Sequence, residues 1–302
     1  MKKIYLLLSF ISVFSITKGQ DMLSTIDTNE EPDYTIATFK STRLVNMHTL
    51  EVCGPHTLDL RINHRFGTLN SGAYNAWGLD GGANIRIGLD YSPDGRFMFG
   101  AGRSSDGKLV DGLLKYRLLR QRTNGGMPIS MTLFAGAYYS PSKDLDGYPA
   151  SARMSYCYQL IIGRKFSKNF SFQINPFFMH YNAVPTSDYK NNCYGIAGMF
   201  RMKLTARAAI TAEYAYRMSD YSPVKNHSKD DIYYDSFSVG YEVETGGHVF
   251  QIFFSNSFGI AESQFLEQTD SKWNDAGIRL GFNISRVFTI GGKSKSASWS
   301  TN

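Results

Sequence analysis

The most regular feature of the chain is an alternation of apolar and polar residues with a period of two. It is clearest where Leu58, Leu60 and Ile62 alternate with charged residues, and it returns between residues 84 and 91. This alternation is typical of β-strands with one apolar and one polar face. The pattern predicts about twelve strands, at roughly residues 57–66, 83–91, 96–103, 110–120, 128–140, 152–166, 170–180, 192–202, 206–217, 235–244, 248–257 and 276–288.

The connections between these strands alternate in length. Short turns such as Ser92–Gly95 and Ser167–Asn169 alternate along the chain with longer connections such as 67–82 and 258–275. Short turns at one end and longer loops at the other are typical of transmembrane β-barrels, and an even strand number leaves both termini in the periplasm. The chain is therefore predicted to be all-β, a transmembrane antiparallel up-and-down β-barrel with a short N-terminal periplasmic or plug segment.

A secreted β-sandwich or a lipocalin-like barrel is the rival interpretation, because alternation shows only that the two faces differ. The strand number and the alternating connections favour the membrane barrel. Aromatic residues near the predicted strand ends also suit the headgroup level of a membrane. They are Tyr138, Tyr139, Phe166, Phe177, Tyr181, Tyr214 and Tyr216.

The chain start is typical of a secretory signal peptide. Lys2 and Lys3 precede an apolar run of about thirteen residues that ends near small residues. A membrane-spanning helix needs roughly twenty apolar residues, so this run is too short to be an anchor. The predicted organisation is a signal peptide at 1–19, a leader and candidate plug at 20–56, a barrel at 57–290 and a polar tail at 291–302. Export by a cleaved signal, together with the predicted barrel, predicts a location in the outer membrane of a Gram-negative cell.

The predicted inner face carries many charges. Charges in an apolar core are costly unless they are paired, whereas a wet lumen solvates them. Seven basic and four acidic residues are therefore expected to line the lumen and to favour anions. They are Arg61, Arg65, Arg86, Asp90, Asp111, Lys115, Arg117, Arg153, Glu213, Glu242 and Arg279.

Composition and motifs exclude several kinds of chemistry. Removing the signal peptide lowers the net charge from +6 to +3, and no clustered basic stripe indicates nucleic acid. The histidines at 48, 56 and 64 and Cys53 match no zinc spacing. Cys157 and Cys193 lie two strands apart, beyond the reach of a disulfide, so free thiols are expected.

No catalytic residue, cofactor or metal ion is expected, and the protein is predicted not to be an enzyme. There is no Gly-x-Ser-x-Gly nucleophile elbow. A protease-like acidic site in the long loops stays open, since several acids lie there. They are Asp188, Asp230, Asp231 and Asp235.

Several short runs resemble a family of uncharacterised outer-membrane β-barrel proteins. They are Thr38-Phe39-Lys40-Ser41-Thr42-Arg43, His64-Arg65-Phe66-Gly67, Gly100-Ala101-Gly102-Arg103-Ser104-Ser105 and Asp111 to Gln121. The resemblance covers most of the mature chain. It implies a barrel fold and an outer-membrane location, and it implies no particular activity.

Two functions therefore remain open. One is a porin-like channel or transporter for small polar or anionic solutes, embedded in outer-membrane lipid. The alternative is a non-conducting scaffold barrel that binds partners through its long loops. Twelve strands lie between the eight that side chains can fill and the sixteen of open porins, so the strand number does not decide.

Overall fold

The computed structural model describes residues 33–141, 147–230 and 232–290. The predicted signal peptide at 1–19, most of the leader before Asp33, the loop acid Asp231 and the tail at 291–302 lie outside the described residues. None of the described helices is long and apolar enough to cross a membrane.

Twelve antiparallel strands form one closed barrel, each paired with its neighbours in the chain and β1 paired with β12. The predicted barrel fold is confirmed, and each strand matches its predicted counterpart to within a few residues. The strands are β1 (Thr57–Thr68), β2 (Asn84–Ser92), β3 (Phe97–Ser104), β4 (Val110–Leu119), β5 (Ser130–Tyr139), β6 (Met154–Lys165), β7 (Phe170–Tyr181), β8 (Asn192–Lys203), β9 (Ala208–Arg217), β10 (Ser236–Thr245), β11 (His248–Ser255) and β12 (Arg279–Thr289).

Short helical turns lie in the longer connections. Those among the described residues are the 3-10 turns Leu69–Ser71, Ala73–Gly78, Asp106–Lys108 and Ala150–Arg153, and the four-residue α-helix α1 (Glu262–Phe265). The turns between β2 and β3, β4 and β5, β6 and β7, β8 and β9, and β10 and β11 lie at one end, here called the short-turn rim. Because the barrel is closed, no strand has a free edge. The backbone groups of the strands are therefore hydrogen-bonded to neighbouring strands and need no water within the lipid.

The two faces of the barrel wall follow the sequence alternation. Ile252 is 52% exposed, whereas the adjacent Gln251 is 3% exposed. The same contrast holds between exposed Ile87 and buried Arg86. Outward side chains are thus apolar along most strands, and inward ones are polar or charged, because lipid and a polar interior select opposite residue types.

A charge placed on the outward face at mid-height is expected to destabilise the barrel strongly. Ile252 lies near the middle of β11, opposite Tyr241 and Phe282, so Ile252→Arg should cost about 2–4 kcal/mol of folding free energy. Leu204 is also 52% exposed but lies in a turn at the short-turn rim, and Leu204→Arg should cost about 0–1 kcal/mol. Urea unfolding in lipid vesicles measures both, and equal losses would contradict the assignment of the faces.

Candidate functional site: a lumen filled by two segments

The barrel interior holds the part of the chain that precedes β1. Residues 38–53, here called the lumen segment, are all buried except for the half-buried Lys40 and Glu51. Side chains from β1, β4, β7, β9 and β12 form hydrogen bonds with its backbone. Because these strands lie around the whole circumference of a closed barrel, the lumen segment lies inside the lumen.

The lumen segment is a hairpin whose two ends are at the same rim. Arg43 and His48 form an antiparallel bridge, and the Leu44 amide donates to the Met47 carbonyl at 2.9 Å. Before the hairpin, the Thr35 amide donates to the carbonyl of Gln121 in the β4–β5 turn at 2.8 Å. After it, the chain enters β1 at Thr57, which pairs with the end of β12. The chain therefore enters and leaves the lumen at the short-turn rim.

The tip of the hairpin is held by one buried carboxylate. Glu213 on β9 accepts hydrogen bonds from the amides of Val45, Asn46 and Met47 at 3.1, 2.8 and 3.2 Å. An ionised carboxylate can only accept hydrogen bonds, and the three amide N–H groups that converge on it can only donate them. The carboxylate and the backbone of the tip are therefore complementary. Arg65 donates to the Asn46 side-chain oxygen at 2.8 Å. The tip is therefore fixed near the middle of the wall.

The two arms of the hairpin are held by cationic and amide side chains of the wall. Lys115 Nζ donates to the carbonyls of Thr49 at 2.7 Å and Thr42 at 3.4 Å, and also to that of Glu51. Gln173 accepts from the Leu50 amide at 2.9 Å and donates to the His48 carbonyl at 2.8 Å. The charge of Lys115 and the amide of Gln173 are thus satisfied by the backbone of the lumen segment.

A second segment fills the lumen from the opposite end. Residues 258–270, here called the inner loop, include α1 and are predicted only as a connection in the sequence. Tyr138 donates to the Glu262 carboxylate at 2.7 Å, and Tyr181 donates to the Ser263 carbonyl at 2.8 Å. Asn84 donates to the Phe258 carbonyl at 2.8 Å. These three side chains lie at the long-loop ends of β5, β7 and β2, so this loop folds inward there.

The two segments meet at Glu262. Its carboxylate lies 3.4 Å from an Arg43 guanidinium nitrogen and 3.4 Å from His48 Nε2, and all three side chains are buried. A hairpin from the short-turn rim and a loop from the opposite end therefore join through one ionic contact inside the barrel.

Burial lowers the pKa of His48, and the charges of Arg43, Lys115, Arg86 and Arg61 lower it further. The imidazole thus stays neutral inside the barrel, whereas a released hairpin would present a histidine near the ordinary value of 6.5. Below pH 6.5 the histidine of a released hairpin binds a proton that the seated histidine does not bind. The seated state therefore keeps its full stability above pH 6.5 and loses stability as the pH falls below that value.

The thermal stability of the folded barrel is therefore expected to fall between pH 7.5 and 5. The largest contribution from His48 is about 1.4 kcal/mol per pH unit. The melting temperature of the unboiled gel band measures this, with His48→Gln as the variant that should flatten the profile. Parallel profiles for the two proteins would contradict the role of His48.

Several wall charges pair with each other. Arg86 binds Asp111 through two nitrogens, with Nε at 2.8 Å from the carboxylate. Arg201 binds Glu242 at 2.8 Å, and Arg61 lies 3.2 Å from Asp59. Arg61, Arg86, Asp111 and Glu242 are thus brought together with opposite charges rather than left free in a wet lumen.

The remaining predicted lumen residues occupy different positions. Arg117 lies toward the short-turn rim and binds Glu51 at 3.3 Å. Arg279 lies at the long-loop end, near Asp270 at 3.7 Å. Asp90 is buried and has no hydrogen-bond partner among the described residues. Arg153 ends a 3-10 turn before β6 begins rather than lying on a strand, and its place on the lumen wall stays a prediction.

Sequence reasoning omitted several residues that the structure brings into the lumen. Asp59 lies on a predicted inward position, and Arg201 follows the β8 alternation, so both could have been found. Glu262 carried no such signal, because the loop that holds it has no strand period. With these residues, the predicted excess of basic over acidic lumen charges becomes smaller.

Three aromatic residues that were expected near the membrane surface point inward instead. Tyr138, Phe177 and Tyr181 are 2%, 4% and 6% exposed. They pack with the inner loop and the wall in one buried cluster that also contains Phe39, Leu44 and Phe265. The interior is therefore packed like a protein core in part, with ion pairs and hydrogen bonds beside it.

The three cysteines are buried free thiols, as predicted. Met179 on β7 lies between Cys157 and Cys193 in register, which separates them. Burial and the nearby Asp59 and Asp90 raise the pKa of Cys53, so this thiol stays protonated. Among the described residues, no group of histidine, cysteine and acidic side chains is arranged to hold a metal ion.

Comparison with solved structures finds other outer-membrane barrels. The NanC porin is 12% identical, with 78% of this chain and 100% of that chain covered and a TM-score of 0.47. An outer membrane channel from Pseudomonas putida F1 is 13% identical, with 81% and 100% covered and a TM-score of 0.45. The outer membrane protein Omp33 of Acinetobacter baumannii is 8% identical, with 77% and 98% covered and a TM-score of 0.39.

No curated protein matches the chain. A family model described as a membrane bound beta barrel domain (DUF5777) matches residues 39–288, a range that includes nearly all of the lumen segment together with the twelve strands. The chain therefore belongs to this family of membrane-bound β-barrels, and it is a protein of the outer membrane.

Proposed function

We propose that this protein is a gated channel for small polar solutes and that the lumen segment is its gate. The observation that carries the proposal is the path of the hairpin, which enters and leaves by the short-turn rim. A hairpin with both ends at one rim can be withdrawn toward the periplasm without threading the chain or opening the strand ladder.

Withdrawal of the hairpin would leave a polar wall that water can solvate. Lys115 and Glu213 would lose their backbone partners, and Arg65 would lose Asn46. Asp90 on β2 and Lys115 on β4 both face the lumen on either side of β3, and Asp90 has no hydrogen-bond partner among the described residues. We therefore propose that Lys115 exchanges the hairpin carbonyls for Asp90 when the gate opens.

The balance of charges supports polar solutes as the main cargo. The Arg86–Asp111, Arg201–Glu242 and Arg61–Asp59 pairs belong to the wall and stay neutralised when the hairpin leaves. Any preference for anions would depend on Arg65, Lys115 and Arg117, against the acids Glu213 and Glu262. The reversal potential in a salt gradient tests whether the open lumen prefers anions.

A non-conducting scaffold barrel is the second candidate, and one observation favours it. Phe39, Leu44, Met47 and Leu50 of the lumen segment belong to the same buried apolar cluster as Phe265 and Leu266 of the inner loop. Moving these side chains into water costs about 25 cal/mol per Å² of apolar surface. A permanently filled lumen would leave the long loops as the surface that acts on partners.

Conductance in planar bilayers separates the two candidates. Three folded proteins are compared: the full chain, a variant with residues 38–52 replaced by a Gly-Ser linker of equal length, and that variant with residues 259–270 also shortened. A channel predicts rare openings of the full chain and steady current steps for the third protein, whereas a scaffold predicts no opening of the full chain even when the third protein conducts. A silent full chain that still shows a gel shift on boiling would overturn the channel and support the scaffold.

A further inference from the structure

The short-turn rim carries a basic cleft, and we propose that this cleft binds a phosphate group. It is a cavity of about 530 Å³ between the β2–β3 turn and the β4–β5 turn. Its lining includes Tyr34, Asp94 and four arginines. The arginines are Arg96, Arg117, Arg120 and Arg122. The inference goes beyond the proposed channel and holds whether or not the barrel conducts.

The acids near the cleft are already engaged. The Asp94 carboxylate accepts hydrogen bonds from the amides of Arg96 and Phe97 in its own turn, at 2.8 and 2.7 Å. Glu51 binds Arg117 at 3.3 Å. Three of the four guanidinium groups thus have no ion pair among the described residues, and the cleft keeps an excess of positive charge.

Aromatic rings position the three guanidinium groups that have no ion pair among the described residues, and Arg96 Nε also donates to the Arg117 carbonyl at 3.1 Å. The guanidinium groups of Arg120 and Arg122 lie 4.1 and 5.8 Å from the ring centre of Tyr34. Arg96 lies 5.2 Å from the ring centre of Tyr116. Contact with an aromatic face stabilises a cation while its N–H groups stay available at the edge. Partial burial and the neighbouring Arg117 lower the pKa of Arg120, and Tyr34 and Glu51 oppose this shift only in part.

The backbone keeps the cleft in shape. Tyr34 and Arg122 form an antiparallel bridge, and the Thr35 amide donates to the Gln121 carbonyl at 2.8 Å. Tyr34, whose ring orients Arg120 and Arg122, is therefore attached to the turn that carries both of them. A preformed site loses less conformational entropy on binding.

Phosphate is the anion that this arrangement fits. The planar guanidinium group donates two parallel hydrogen bonds to phosphate oxygens, and several such groups can share three oxygens. Two sources offer this chemistry at the short-turn rim. One is the headgroup of an anionic phospholipid, which can approach beside the outward-facing Tyr116, and the other is free phosphate or a phosphate ester in solution.

Binding to the full chain in detergent micelles tests the site with two probes. The probes are phosphatidylglycerol, counted as bound lipid by native mass spectrometry, and inorganic phosphate, measured by calorimetry. The test variant is Arg120→Gln/Arg122→Gln. The matched control is Arg164→Gln/Arg207→Gln, which removes two exposed arginines from the same rim. Each protein must show the gel shift on boiling that reports a folded barrel.

We expect the test variant to lose affinity at least tenfold for one or both probes, while the control keeps it. Loss for lipid alone identifies the headgroup as the source, and loss for both identifies the phosphate group in either source. Equal affinity of all three proteins for both probes would overturn the proposal, as would no binding of either probe by the full chain.

Discussion

Replacing Glu213 with alanine is expected to release the hairpin tip from the barrel wall. The substitution leaves the amides of Val45, Asn46 and Met47 buried without their acceptor. Each unsatisfied buried group costs about 1–3 kcal/mol, so the three amides together should destabilise the seated state by about 3–9 kcal/mol. An energy of 3 kcal/mol corresponds to roughly a 100-fold change in the open population.

Trypsin measures this release, because it cleaves after lysine and arginine. Arg43 lies in the hairpin and is 2% exposed, so cleavage there requires the hairpin to leave its seat. If the hairpin opens and closes faster than trypsin cuts, the cleavage rate follows the open population. Cleavage after Arg43 should then be about 100-fold faster in the Glu213→Ala variant than in the unmodified protein. Glu213→Gln keeps one acceptor oxygen and should give an intermediate rate.

A second acidic variant is the matched control. Glu244 binds Lys40 at 2.7 Å, and both side chains are partly exposed. Partly exposed ion pairs contribute about 0–1 kcal/mol, so Glu244→Ala should be cleaved at nearly the original rate. Equal rates for the Glu213 and Glu244 variants would mean that the carboxylate at the tip does not hold the hairpin.

Removing one partner of the Arg86–Asp111 pair is expected to destabilise the barrel itself. The pair joins β2 to β4 across β3, and the Arg86 guanidinium lies so close over Gly102 that any side chain at this position would overlap it. Asp111→Asn leaves a buried guanidinium without a counter-charge, which costs about 3–5 kcal/mol. Urea unfolding in vesicles should show that loss.

An apolar replacement of the whole pair separates charge from packing. Arg86→Met/Asp111→Leu removes both charges, and buried pairs replaced in this way often lose little stability. The double variant should therefore be more stable than Asp111→Asn alone. A double variant that is less stable than the single one would show that the pair contributes a net attraction to the wall.

The sequence predicts the barrel wall well because the wall obeys a local rule. Each outward residue meets lipid and each inward residue meets a polar interior, so Ile252 and Gln251 can be assigned from their positions alone. The same rule assigns Tyr138 to the inside, since it shares a face with Phe134. Its expected place near the membrane surface was an error of position that the alternation itself corrects.

The content of the lumen follows no local rule. The lumen segment has no strand period because its partners are single side chains on remote strands, such as Glu213 and Lys115. The inward Gln251 donates to Glu242 at 3.0 Å and to the Arg43 carbonyl, and its position on the strand indicates neither partner. The pairing of inward charges depends on close contacts between particular residues, such as that of Arg86 with Gly102. Strand alternation does not predict these contacts.

The seating of the hairpin tip can be measured directly by cross-linking. The Asn46 side-chain nitrogen lies 3.0 Å from Ser238 Oγ on β10. In a protein with Cys53, Cys157 and Cys193 replaced by serine, Asn46→Cys/Ser238→Cys should join rapidly under mild oxidation in unboiled membranes. Mass spectrometry of the joined tryptic peptides reports the bond. Val239 faces lipid and is 37% exposed, so Asn46→Cys/Val239→Cys should not join. Rapid joining of the first pair alone is the predicted result, and equal rates for the two pairs would contradict a hairpin seated in the lumen.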